Sequence, residues 1–279
     1  MKTVFNKLLS IHERPIFMDF TSSNLISYIV EHEDEYVIIN HLTHYEKKEV
    51  SIKKEEINGY SIRFFQMTKK GLYVLVFAKP GKEKIVRVYN SKGEVNSAFT
   101  LDVNDITCYY VDDNDHLWFG VGDTEIYSDE NPDGSVIYCY NLIGKQIYKM
   151  GNKFVYQIDS PSIDECYALT KHGNEYFLAY YSGLNILAYD SNEVKKAWVL
   201  EGTVEMKGTC DALGIYEECF WIGTEKNHLY CIPSGIRGEA HEIIPVDNTG
   251  KRIGTVEKVT FSEKGIYLYS NHNIYHIEK

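Results

Sequence analysis

Residues 106–150 read ITCYYV (106–111), DDNDH (112–116), LWFGVG (117–122), a long polar stretch, SVIYCYN (135–141), LIGK (142–145) and QIYKM (146–150). Four short runs rich in β-branched and aromatic residues alternate with polar turns. Such residues fit a pleated surface better than a helix. The second run, LWFGV, is apolar at every position, as expected of a strand covered on both faces. Four short strands joined by turns make one blade of a β-propeller.

The same pattern recurs outward from this stretch. Anchoring the second strand at Tyr36, Tyr73, Trp118, Phe177, Trp221 and Tyr267 gives intervals of 37, 45, 59, 44 and 46 residues. A blade takes about 40–50 residues. The long interval holds an insertion at 123–135 and a connection at 151–164, both expected as loops. Lys70-Gly71, His172-Gly173 and Lys264-Gly265 lie between first and second strands, with Asn114 at the matching place in the third copy. Gly and Asn accept the positive φ of tight hairpins. Fourth strands such as EVNSAFTLD and VKKAWVLE are more polar, as an outer edge must be to resist pairing with other chains.

After Tyr267 only enough chain remains for a third strand. KTVFNKLLSI (2–11) precedes the first blade and fits as the missing fourth strand of the last. The expected fold is an all-β, six-bladed propeller forming one domain over 1–279, with the last blade closed by the N-terminal strand.

Composition narrows the function classes. The net charge is −11, which excludes a nucleic-acid backbone binder built on clustered Lys and Arg. The charge is uneven. Residues 101–140 hold ten carboxylates (Asp102, Asp105, Asp112, Asp113, Asp115, Asp123, Glu125, Asp129, Glu130 and Asp133) and no Lys or Arg. At strand ends and in the 123–135 loop most are expected to be exposed, a surface for a cation or a basic partner. The six cysteines form no C-x-x-C pair and sit in apolar strand patterns. They read as buried free thiols of a reducing compartment. No apolar run approaches a membrane span, and residues 1–10 lack a signal-peptide core, so a cytoplasmic protein with no membrane partner is expected.

Two motifs carry a resemblance. LWFGVGDTEIY (117–127) resembles an "LWVGY-DEG" element, and DECYALT (164–170) with AYYSG (179–183) resembles "DCYALN" followed by a Tyr-Tyr pair. Both mark a group of uncharacterised bacterial six-bladed, WD-repeat-like propellers. This chain departs from the pattern at Glu165, which interrupts Asp-Cys, and at Thr124-Glu125, where the group has Glu-Gly. The resemblance implies the fold and no particular activity.

Chemistry is sparse. DENPDG (129–134) matches the first half of a calcium loop, with Asp129, Asn131 and Asp133 as candidate ligands. Tyr140 stands where the bidentate Glu belongs, and Asn-Pro-Asp-Gly equally forms a β-turn. His41 with His44, and His272 with His276, match no second ligand cluster. Lys47, Lys48, Lys53 and Lys54 interleave with Glu49, Glu55 and Glu56, a mixed-charge outer strand. No nucleophile elbow, phosphate loop or H-E-x-x-H occurs. Propellers generally bind ligands where loops before first strands and after second strands surround the channel. That rim here includes Asp105, Asp123, Glu125, Asp164, Tyr181 and Glu225. The leading reading is a non-enzymatic interaction module, such as an acidic inhibitor or immunity-type protein masking a basic protein partner. Its alternatives are a metal-assisted hydrolase or lyase at the channel, and a sensor of a small molecule or sugar.

Overall fold

The computed structural model describes residues 1–20, 26–43, 46–152, 162–180, 185–190, 194–199, 206–234, 240–262 and 265–278. Within them lie six four-stranded antiparallel sheets. Blade 3 is the stretch from which the sequence reading began: Ile106–Val111, Leu117–Val121, Ser135–Tyr140 and Gln146–Gly151, in that spatial order. The first strands of the blades are Phe17–Phe20, Ser61–Met67, Ile106–Val111, Cys166–His172, Cys210–Tyr216 and Lys258–Ser262. Each touches the next, and the last touches the first, so six inner strands ring a central channel.

Alternation along the second strands explains the stacking. In Tyr73–Ala78, Tyr73, Leu75 and Phe77 pack into a core with blade 1, while Val74 and Val76 pack into one with blades 3 and 4. In Glu175–Tyr180, Leu178 and Tyr180 face blade 3, and Phe177 and Ala179 face blade 5. Period-two side chains that are apolar on both sides fit a sheet sandwiched between two others.

The N-terminal strand closes the ring as its sequence predicts. Asn6–Ser10 pairs antiparallel with Asn273–Glu278, Asn6 opposite His276 and Ser10 opposite Asn273. A second attachment was not foreseen: Lys2–Val4 runs parallel to Ile244–Val246, on the connection into blade 6.

Three local expectations need correction. Tyr36 lies on the third strand of blade 1, Glu35–His41; the second strand is Ile26–Glu31. Both strands have a run of residues buried on both faces, so periodicity cannot rank them. In the turn after Val111 the residue at positive φ is Asp115 (62°), not Asn114. The insertion at 123–135 opens with a helical turn, Asp123–Ile126. All six cysteines are free thiols, and five are buried. No helix among the described residues is long and apolar enough to cross a membrane.

Candidate functional site

The channel is a funnel. Its wide mouth, about 600 Å³, opens on the face carrying the loops before first strands. It narrows to about 200 Å³ at mid-depth and about 70 Å³ toward the opposite face. The mouth is ringed by charged residues at the starts of first strands: Arg63, Asp105, Glu165, Asp211, Glu257 and Lys258.

The carboxylates there are poorly compensated. Burial raises the pKa of Glu165, the negative charges of Asp123 and Asp105 raise it further, and a hydrogen bond with Tyr167 offsets part of this. Burial likewise raises that of Asp211, with Lys258 opposing and Glu225 adding to the effect. Lys258 is itself partly sunk, which lowers its pKa. Glu257 is already paired with Arg14 at 3.2 Å.

The expected rim residues are only partly brought together. Asp105 lines the mouth and packs over Gly122, where a Cβ would collide with its carboxylate. Asp123 and Glu225 are exposed and act through their fields on Glu165 and Asp211. Asp164 turns aside to accept hydrogen bonds from the Tyr127 hydroxyl at 2.5 Å and the Ser162 hydroxyl at 3.1 Å. Glu125 corrects the expectation of an exposed binding residue: it is buried and accepts the Asn104 N–H at 2.8 Å, pinning the loop before blade 3. Tyr181 lies outside the described residues.

Sequence reasoning passed over Arg63, Glu165, Asp211 and Lys258. Their signal is a charged residue recurring at the start of four of the six first strands, in SIRFF, DECYA, CDALG and EKVTF. It shows only once the repeat frame is fixed.

The acidic stretch is less exposed than expected. Asp112, Asp115 and Glu125 are buried. Asp113, Asp115 and Asp133 pair with Lys69, Lys70 and Lys149 at 2.9, 2.5 and 2.6 Å. Lys69 and Lys70 come from the turn between the first two strands of blade 2 and Lys149 from the fourth strand of blade 3, so composition along 101–140 overstates the local charge. The 129–134 segment is used as a turn. The Asn131 side chain is buried, accepting the Ser135 N–H at 2.9 Å and donating to the carbonyls of Ser135 and Glu125. Asn131 therefore faces the protein and not a cation shared with Asp129 and Asp133. No group of three or more His, Cys, Asp or Glu among the described residues is placed to hold a metal ion.

Deeper in the funnel, Asp19 accepts the Met67 N–H at 2.6 Å. Burial dominates its titration and lifts its pKa from 3.8 to about 7, although hydrogen bonds from Met67 and Phe20 pull it down. A carboxyl that prefers its proton when folded destabilises the fold once that proton is lost. Stability from this group should therefore be complete below pH ~4 and fall as pH rises to about 7. Asp19→Asn should flatten that slope, by roughly 3–4 kcal/mol between the two limits. Urea unfolding at pH 4.5 and 8 measures it, and an unchanged slope would show Asp19 ionised throughout.

Comparisons with known proteins agree with the fold. The chain superposes on a PQQ-bound aldose sugar dehydrogenase from Streptomyces coelicolor with a TM-score of 0.55 at 10% identity, covering 99% of this chain and 97% of that one. It also superposes on a chain of a mitotic checkpoint complex, with a TM-score of 0.53 at 11% identity over 96% and 74% of the two chains. At these identities the likeness concerns architecture alone. In sequence, the chain is similar to the uncharacterized protein YxzG of Bacillus subtilis (strain 168), 26% identical over 146 residues, which span 50% of this chain and 97% of the relative. The YxzG family model matches residues 137–277, half of the chain and all of blades 4 and 5, and on that match the chain belongs to the YxzG family.

Proposed function

We propose that this propeller is a non-enzymatic binding module whose funnel mouth receives a cationic group, a Lys or Arg side chain presented by a basic protein partner. The observation that supports this most is the pair of partly buried carboxylates, Glu165 and Asp211, held in one cavity with Asp105 and raised in pKa by burial and by neighbouring negative charge. A bound cation would relieve that repulsion, and complementary charge also steers a partner toward the rim. Asp19, the channel carboxyl with a pKa near neutrality, already accepts a backbone N–H.

The probe is an arginine peptide blocked at both ends, so that its guanidinium is its only charge. Titration followed by amide chemical shifts should place it at Thr107, Tyr167 and Asp211, mouth residues all. Glu165→Gln with Asp211→Asn should weaken it about tenfold, the equivalent of ~1.4 kcal/mol. Raising the salt should weaken it too, since exposed charges are screened beyond about 8–10 Å at 0.1–0.15 M. Asp133→Asn, on the outer edge beside Lys149, should change nothing. Binding that ignores the double substitution would place the site elsewhere.

A further inference from the structure

We propose that the ligand of the mouth carries a free carboxylate beside its cation, received by Arg63, Lys82 and Lys84: the peptide C-terminus of a chain ending in a basic residue. This rests on the reading of the mouth given above and adds a second subsite to it.

A lateral cavity of about 780 Å³ lies between blades 2 and 3 on the same face as the mouth. It shares Arg63, Phe64, Asp105 and Ile106 with the mouth, so the two spaces are contiguous. Its walls carry Arg63, Lys79, Lys82 and Lys84 against Glu83 and Asp105. The sign of the charge thus reverses across the Arg63–Asp105 boundary, from an acidic mouth to a basic side pocket.

The cations of this pocket differ from the ion-paired lysines elsewhere. Lys54 pairs with Glu31 at 2.8 Å, Lys149 with Asp133 at 2.6 Å and Lys207 with Glu242 at 3.4 Å. Lys79 is partly engaged, donating to the Asn58 carbonyl at 3.2 Å. Among the described residues, Arg63, Lys82 and Lys84 make no side-chain hydrogen bond or ion pair. Lys84 is also half-buried, and burial lowers its pKa, with Asp105 and Glu125 pulling upward and Arg63 adding to the fall. A partly desolvated ammonium facing a cavity, beside a guanidinium with its fork free, is complementary to an anion. Glu83 and Asp105 offset part of the positive charge, and the excess that remains attracts a carboxylate beside the cation held in the mouth. Phe64, common to both spaces, gives the ligand's aliphatic stem an apolar surface.

Two tripeptides, acetyl-Gly-Gly-Arg as the free acid and as the amide, separate the subsites. The free acid should bind at least tenfold tighter than the amide. Lys82→Gln with Lys84→Met should erase that preference without weakening the amide, with the melting temperature checked to confirm an intact fold. Glu165→Gln with Asp211→Asn should weaken both peptides. If the amide binds and the acid binds no better, or if the preference survives the lysine substitutions, the second subsite falls while the mouth reading stands. If neither peptide binds, both fall together. Inorganic phosphate displacing the acid peptide far more strongly than acetate does, at equal ionic strength, would overturn the assignment of a carboxylate.

Discussion

A chain lacking residues 1–11 should melt at least 10 °C below the intact protein. Those residues contribute in three ways. Asn6–Ser10 is the fourth strand of blade 6, hydrogen-bonded along Asn273–Glu278. Lys2–Val4 adds a parallel pairing to Ile244–Val246, extended by the Phe5 N–H bonded to the Val246 carbonyl at 2.8 Å. Phe5, 0% exposed, and Ile11, 3% exposed, fill two different cores. Phe5 packs between blades 5 and 6, and Ile11 between blades 6 and 1. Emptying a buried Phe site costs about 3–5 kcal/mol and an Ile site about 2–5 kcal/mol. Each kcal/mol moves the midpoint by about 2–4 °C in a domain of about 150–250 residues, somewhat less in a larger one. Deletion also bares the edge of Asn273–Glu278, a template for pairing with another chain, so the truncated protein should associate with itself. Thermal scanning with light scattering measures both effects. Phe5→Ala alone should give roughly half the shift. A truncated protein melting within about 3 °C of the intact one would show that the ring holds without its closing strand.

That closure is legible in the sequence because it is a matter of counting. Three strands follow Lys258, a blade needs four, and an unassigned strand remained at the other end. The parallel pairing of Lys2–Val4 was not legible, since nothing in KTV distinguishes it from the continuing strand. The mouth was half legible. Loop positions named Asp105, Asp123 and Glu225, because loops surrounding a channel follow from blade topology alone. Residues at the starts of inner strands, such as Arg63 and Asp211, depend on which way each strand starts, and register bulges after Ile62 and Cys210 decide that. A one-residue shift sends a side chain to the other face. Glu165 was visible as an interruption of the Asp-Cys pattern, and the structure gives that interruption a place on the rim. The acidic stretch misled for a related reason: charge was counted along the chain, whereas Lys69 and Lys70, from a turn of blade 2, and Lys149 meet it in space.

Asp112→Ala should destabilise the protein by about 3–5 kcal/mol at pH 7, the largest loss expected from any single carboxylate here. Asp112 lies in the turn between the first two strands of blade 3 and is 2% exposed. Its Oδ1 accepts the N–H groups of Asn114 at 2.8 Å and His116 at 2.9 Å, which shapes the turn. Its Oδ2 accepts the Trp118 indole N–H at 3.0 Å and the Tyr176 hydroxyl at 2.6 Å. Trp118 belongs to blade 3 and Tyr176 to blade 4, with ring centroids 4.2 Å apart, so one carboxylate clamps two blades. Alanine leaves all four donors without that acceptor. Burial alone would raise the pKa of Asp112, yet hydrogen bonds from Tyr176, His116, Trp118 and Asn114 outweigh it and hold the group below its usual 3.8. A depressed folded pKa means the contribution is complete above the unfolded value and is lost as pH falls through the folded one. The gap between wild type and Asp112→Ala should therefore stay constant from pH 7 to about 4 and narrow below that. Asp112→Asn keeps the size but turns an amide donor toward Trp118 and Tyr176, so it should recover less than half of the loss. Urea unfolding of the three proteins at pH 7, 4 and 3 reads the difference directly. A gap that does not shrink at pH 3 would mean that shape alone, and not the charge accepting four hydrogen bonds, fastens blade 3 to blade 4.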